Sequence, residues 1–181
     1  MKTLLLGMGN PLLCDDAVGI RLARDIKTRL GAVAGLDVIE ECSAGGLNLL
    51  DVLSGYERVI ILDSMRTAGG TPGEWRHFTA SALLPSLHLT NIHDANFATA
   101  LQLGYSMGIP LPRLADIHIY AVEAKENLLF SEQMTPELEH KYPAYSYAIF
   151  REIRRLLIGG TTKETGPFSC LEPPFPDRGT P

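Results

Sequence analysis

At 181 residues the chain is long enough for one domain with a full core and short for two. Its 45% apolar and 20% charged residues are ordinary for a soluble globular protein, and a net charge of −5 argues against nucleic acid, which draws on a basic patch or stripe. No apolar run approaches the roughly 18 residues of a membrane span, no signal peptide is expected before the first strand, and Cys14, Cys42 and Cys170 form neither a CxxC pair nor a disulfide framework, so the expected setting is reducing and cytoplasmic.

The chain opens on an apolar strand over residues 3–6, a Gly-x-Gly-Asn turn (Gly7-Met8-Gly9-Asn10), and the acidic pair Asp15-Asp16 at the start of a helix. A helix N-terminus ordinarily receives an anion, through its free N–H groups and its positive dipole end. Here the chain places its own carboxylates there, which disfavours bound phosphate and opens the position to a cation. Val18, Leu22, Ile26 and Leu30 then recur every four residues, the apolar stripe of an amphipathic helix that Gly31 ends. Residues 36–40 read as a second strand. Ser43-Ala-Gly-Gly46 is a turn into a short helix through Leu47, Leu50 and Leu53.

Residues 58–62 (Arg-Val-Ile-Ile-Leu) form a continuous apolar strand, the pattern of a central strand covered on both faces, with Asp63 at its carboxyl end. A turn-rich loop over 68–73 leads to an edge strand over 74–78. His93 precedes a helix from about residue 94 to 107, with Phe97, Leu101 and Tyr105 on one face. A last strand covers 117–122. Thr135-Pro136 resembles an N-cap with proline at the first helical position, and Pro143 is expected to divide that segment. The main terminal helix then covers 144–158, burying Tyr145, Ile149, Ile153 and Leu156 or Leu157. From Gly159 the chain turns to Gly and Pro with few aliphatic residues and cannot offset ordering entropy, so residues 159–181 are expected to be a disordered tail behind a domain of residues 1–158. Alternating strands and helices imply βαβ units and a largely parallel sheet. There is no internal repeat.

In open α/β sheets ligand sites lie outside the carboxyl ends of the strands. Asp16 follows the first strand by one loop, Asp63 follows the third directly, and His93 opens a helix of the kind that begins on that edge. Each residue has a plainer reading. Asp15 and Asp16 can act as first-turn acids, Asp63 can bond its own loop backbone, and His93 can cap its helix or face solvent.

Other motifs fare worse. Gly-x-Gly lacks a third glycine, and Asp15-Asp16 occupies the place of a phosphate, against a Rossmann dinucleotide site. HExxH and Gly-x-Ser-x-Gly are absent, and nothing places a histidine beside Ser43 or Ser64. Cys14 sits where a helix start lowers a thiol pKa, but the neighbouring acids oppose that shift. His77, His88, His118 and His140 have no ligand-like companions.

The run Leu6-Gly-Met-Gly-Asn-Pro-Leu-Leu-Cys-Asp-Asp-Ala-Val-Gly19 resembles the opening motif of the [NiFe]-hydrogenase maturation proteases, endopeptidases that trim the C-terminus of the hydrogenase large subunit. Val59-Ile-Ile-Leu-Asp63-Ser is similar to the family's second acid after the central strand, and Asn91-Ile-His93-Asp94 to its histidine at the next major helix. Residues 41–50 look like its loop between second strand and second helix. The resemblance covers residues 1 to about 158 in order and spacing. The first-motif acid is Glu or Asp in that family, and here it is Asp16.

The resemblance implies a three-layer α/β/α sandwich with a mostly parallel central sheet, and an interaction of Ni2+ with Asp16, Asp63 and His93. Imidazole suits nickel, while two carboxylates add charge and leave coordination positions open. It further implies that nickel arrives with the partner, a [NiFe]-hydrogenase large-subunit precursor whose C-terminal extension is removed after metal insertion. Either a metal-polarised carbonyl or water, or a carboxylate base (Asp16 or Asp63), is compatible with the chemistry. The rivals are a nickel-dependent checkpoint or chaperone without enzymatic activity, and an ordinary doubly wound small-ligand domain.

Overall fold

A computed structural model describes residues 1–83 and 92–159, with residues 92–96 described by their backbone alone. The expected tail, from residue 160 on, and His88 lie outside the described residues. The order of elements is β1 (Thr3–Met8), α1 (Val18–Leu30), β2 (Leu36–Cys42), α2 (Asn48–Leu53), β3 (Arg58–Met65), β4 (Trp75–Thr79), α3 (Ile92–Ser106), β5 (Ile117–Glu123) and α4 (Pro136–Gly159), with a short 3-10 turn over Cys14–Ala17 before α1.

The five strands form one sheet in the order β2-β1-β3-β5-β4. β1 pairs in parallel with β2 and β3, β3 in parallel with β5, and β4 runs antiparallel along the edge. β3 is central, as its unbroken apolar run requires. Alternation along the strands sorts the core into two layers. Leu4, Leu6, Val59 and Ile61 meet Leu49, Leu50 and Leu53 of α2 and Ala98, Ala100 and Leu101 of α3. Leu5, Ile60, Leu62, Tyr120 and Val122 meet Val18, Leu22 and Ile26 of α1 and Leu138, Tyr145, Ile149 and Ile153 of α4. The result is the expected α/β/α sandwich. Among the described residues no helix is long and apolar enough to cross a membrane.

Two local expectations change. Pro143 does not divide the terminal segment: α4 is continuous from Pro136 to Gly159. Proline costs a helix one N–H bond and crowds the carbonyl four residues back. Here Pro143 and Glu139 are both exposed, so water can serve that carbonyl, while buried Tyr142 and Tyr145 hold both halves to the sheet. In α3 the expected Leu101 is buried and Phe97 packs against the core, but Ala98 and Ala100 share that face and Tyr105 is pushed to the rim at 37% exposure. Small residues win the inner face because α3 packs close: a side chain at Gly104 would meet Leu111 and Leu50 at 2.7–3.3 Å.

Beneath α4 the sheet buries a polar cluster. His77 of β4 and His118 of β5 are 3.1 Å apart ring nitrogen to ring nitrogen, and the His77 ring stacks on Tyr120 at 4.3 Å. His77 Nδ1 has no hydrogen-bond partner and stands 3.8 Å from Glu152. Burial, with His118 beside it, pushes His77 down to about 4. Burial, with Arg58 nearby, lowers His118 also, and burial raises Glu152. The folded protein thus holds both rings neutral, whereas the unfolded chain binds protons near the ordinary value of 6.5. Their contribution to stability is complete above that pH and is lost as pH falls toward about 4. Glu152 acts in the opposite sense, since its raised pKa favours the protonated folded form. The thermal midpoint is expected to drop between those limits, with His77 contributing up to roughly 3 kcal/mol. His77→Phe, which keeps the stacking, should flatten the profile measured by calorimetry across pH; an unchanged slope would contradict the assignment.

Candidate active site

The first turn is built by close backbone approach. Gly9 adopts φ +133°, and a Cβ there would stand 2.0 Å from the Asp16 carbonyl oxygen. Gly19, in the first turn of α1, leaves only 2.3–2.4 Å between a hypothetical Cβ and the carbonyl oxygens of Leu62 and Met8. The glycines of the opening motif therefore serve helix-on-strand contact and not a phosphate. They lay the turn across the carboxyl ends of β1 and β3.

That placement links the acids. Asp16 accepts hydrogen bonds from the Asn10 N–H at 2.8 Å and from the Ser64 hydroxyl at 2.7 Å, and the Ser64 N–H donates to Asp63 at 2.7 Å. Asp16, Ser64 and Asp63 form one continuous polar chain, all half-buried at the carboxyl edge. Strand alternation decides their faces. Ser64 follows Ile60 and Leu62 to the α1 side, where it meets Asp16, and Asp63 follows Val59 and Ile61 to the α2–α3 side. The C-terminal end of α3 lies at the opposite, amino edge, where the Gly55 N–H bonds the Pro110 carbonyl and Gly104 meets Leu111. A helix of 15 residues spans about 22 Å, which carries its first turn, with His93, toward the carboxyl edge. The His93 side chain lies outside the described residues. Among the described residues no three His, Cys, Asp or Glu side chains gather at metal-binding spacing.

The acidic pair is divided between two tasks. Asp15 is fully buried and accepts from the N–H groups of Lys125, Glu126 and Thr135 at 2.7–3.0 Å and from the Thr135 hydroxyl at 3.0 Å. Four donors satisfy a carboxylate that would otherwise be costly to bury. No local signal could reveal this, because the partners lie 110–120 residues away. Thr135, expected to cap α4, instead spends its hydroxyl on Asp15. Glu123 was equally hidden: it is buried at the end of β5 and takes the Thr67 N–H and hydroxyl, fixing the loop after β3. Burial pushes the Cys14 thiol up and the Asp15 charge adds to it, so Cys14 is no activated nucleophile.

Residues 20–151 match the model of the hydrogenase maturation protease family, HycI. The chain belongs to the hydrogenase maturation protease family. The matched region contains Asp63 and His93 and begins after Asp16. A relative, the hydrogenase 2 maturation protease of Escherichia coli, is 30% identical over 73 residues, a match that spans 40% of this chain and 44% of that protein's length. Two solved structures share the fold: the hydrogenase maturating endopeptidase HybD from E. coli (TM-score 0.70, 20% identity, 86% of this chain and 94% of that one), and the [NiFe] hydrogenase maturation protease HybD from Thermococcus kodakarensis (TM-score 0.62, 23% identity, 84% and 99%).

In this chain the two neighbouring acids should respond differently to loss of charge. Asp15→Asn turns an amide N–H₂ toward N–H donors in a buried site and is expected to cost about 3 kcal/mol in urea unfolding. Asp16→Asn can keep its amide oxygen on the Asn10 N–H while the Ser64 hydroxyl turns to accept from the amide N–H₂, and at this half-exposed position it should cost no more than about 1 kcal/mol. Equal losses would contradict the division.

Proposed function

We propose that the chain is an endopeptidase that removes the C-terminal extension of a [NiFe]-hydrogenase large-subunit precursor after nickel insertion. The observation that carries this reading is the Asp16–Ser64–Asp63 chain at the carboxyl edge of the sheet, in a member of a protease family. Asp16, Asp63 and His93 are proposed to hold the nickel that the precursor brings. The donor set suits that ion, since imidazole and carboxylate are both good ligands for it. Asp16 already accepts two hydrogen bonds, yet a carboxylate has about four lone-pair sites, so it can be oriented by Asn10 and Ser64 and still bind.

In such a complex the recognition and the cut are one event. A precursor without nickel lacks the charge that would bind between Asp16 and Asp63. With nickel in place the scissile peptide is held beside the two carboxylates, and water adds to its carbonyl carbon. Either carboxylate at this edge can accept the water proton as the C–N bond breaks and the amine leaves protonated. Solvent reaches both acids, which favours an open, substrate-completed site over a closed structural one. The buried free thiols of Cys14 and Cys42 support a reducing, cytoplasmic setting.

Purified protein should carry no stoichiometric metal, cleave nickel-loaded precursor and leave nickel-free precursor intact. His93→Ala should abolish cleavage with little change in stability. Equal cleavage of the two precursors, or a tightly held zinc required for turnover, would overturn the nickel-dependent mechanism. Tight binding without cleavage would favour a checkpoint role.

A further inference from the structure

Residues 124–135 join β5 to α4, and Asp15 clasps this loop at both ends, through Lys125 and Glu126 on one side and Thr135 on the other. A second tie sits mid-loop: the Ser131 N–H bonds the Leu12 carbonyl at 3.0 Å and the Cys14 N–H bonds the Ser131 carbonyl at 2.8 Å. Yet the apex of this anchored loop, Leu128-Leu129-Phe130, is 74%, 61% and 80% exposed. Three consecutive large apolar side chains in water do nothing for the core, and such a row marks a surface that something covers. Leu12, 51% exposed, joins the row through the Ser131 bond. Beside it lies a cleft of about 330 Å³ whose walls join Leu12, Ala17, Ile20 and Met134 with the charged Arg21, Arg24 and Glu132. That volume falls in the lower part of the ~300–1,000 Å³ range of binding sites.

The row is continuous with the candidate active site. Asn10 donates its N–H to Asp16 and accepts the Leu12 N–H on its side-chain oxygen, so one turn fixes both the acid and the start of the apolar surface. We propose that Leu128, Leu129, Phe130 and Leu12, with the cleft beside them, dock an apolar stretch of the protein substrate adjoining the bond to be cut. The proposal rests on the endopeptidase reading. A projecting row of side chains offers contact area, which suits a polypeptide better than an enclosed small ligand. A second copy of this chain is the poorer occupant, because a lasting interface here would obstruct access to Asp16 and Asp63. Charge around the row is mixed: Lys125, Arg21 and Arg24 are paired with Glu137, Glu139, and Glu40 and Glu41, whereas Glu126, Glu132 and Arg66, which bonds the Asn127 side chain, have no ion-pair partner among the described residues. The docked stretch is therefore apolar, and either sign of charge can be met at its ends.

The test compares wild-type protein with the double variant Leu129→Ser, Phe130→Ser on nickel-loaded large-subunit precursor. Both positions are exposed, so the melting temperature should stay the same. KM should rise at least about tenfold with kcat little changed, the signature of lost uniform binding, and Phe130→Leu alone should retain most of the affinity. An unchanged KM in the double variant, with wild-type cleavage intact, overturns the docking surface and leaves the protease reading standing. Failure of the wild-type protein to bind or cleave any precursor instead overturns the protease reading, and the docked substrate with it. A wild-type dimer in sedimentation that the double variant disperses would assign the surface to a second copy and also overturn the proposal.

Discussion

The arrangement of this site depends on how closely the first turn approaches the sheet. A Cβ at Gly19 would lie within 2.4 Å of two strand carbonyls, and one at Gly9 within 2.0 Å of the Asp16 backbone. Protein interiors do not yield at such distances without backbone shifts that cost several kcal/mol in all. With glycine at both positions the start of α1 rests on the ends of β1 and β3. Only then is Asp16 within 2.7 Å of the Ser64 hydroxyl. Lift the helix by the thickness of a methyl group and that bond is lost, together with the link from Asp16 to Asp63.

The same turn solves a second problem with an adjacent residue. Asp15 points inward, where four donors from the loop after β5 and the start of α4 converge on it. Two carboxylates next to one another in sequence therefore do opposite things: one is a buried anchor for a distant loop, the other a half-exposed group at the candidate active site. The coupling has a functional consequence. The loop that Asp15 anchors is the one whose apolar apex is proposed to hold the substrate, so the candidate active-site edge and the proposed docking surface are tied together by one five-residue stretch of chain, residues 12–16.

Much of this architecture is legible in the sequence because its signals are local. The four-residue recurrence of Val18, Leu22, Ile26 and Leu30 foretells α1, and the apolar run before Asp63 foretells the central strand. The rule that sites lie at carboxyl strand ends brings Asp16 and Asp63 to one edge before any coordinates are known. What sequence could not supply is long-range pairing. Nothing near Asp15 announces donors at residues 125, 126 and 135, and nothing near Ser64 announces Asp16, 48 residues earlier. Pro143 misled for the converse reason: a local rule for breaking helices gave way to tertiary packing by Tyr142 and Tyr145 on either side of it.

The central claim is that Asp16, Asp63 and His93 act together on nickel. It is tested most directly by a crystal structure of the protein in millimolar Ni2+, with anomalous data collected at the nickel edge. The account predicts one peak at the carboxyl edge of the sheet, about 2 Å from oxygens of Asp16 and Asp63 and from a ring nitrogen of His93. A peak at the buried His77–His118 pair alone, or a His93 ring directed into the core away from both carboxylates, would contradict it.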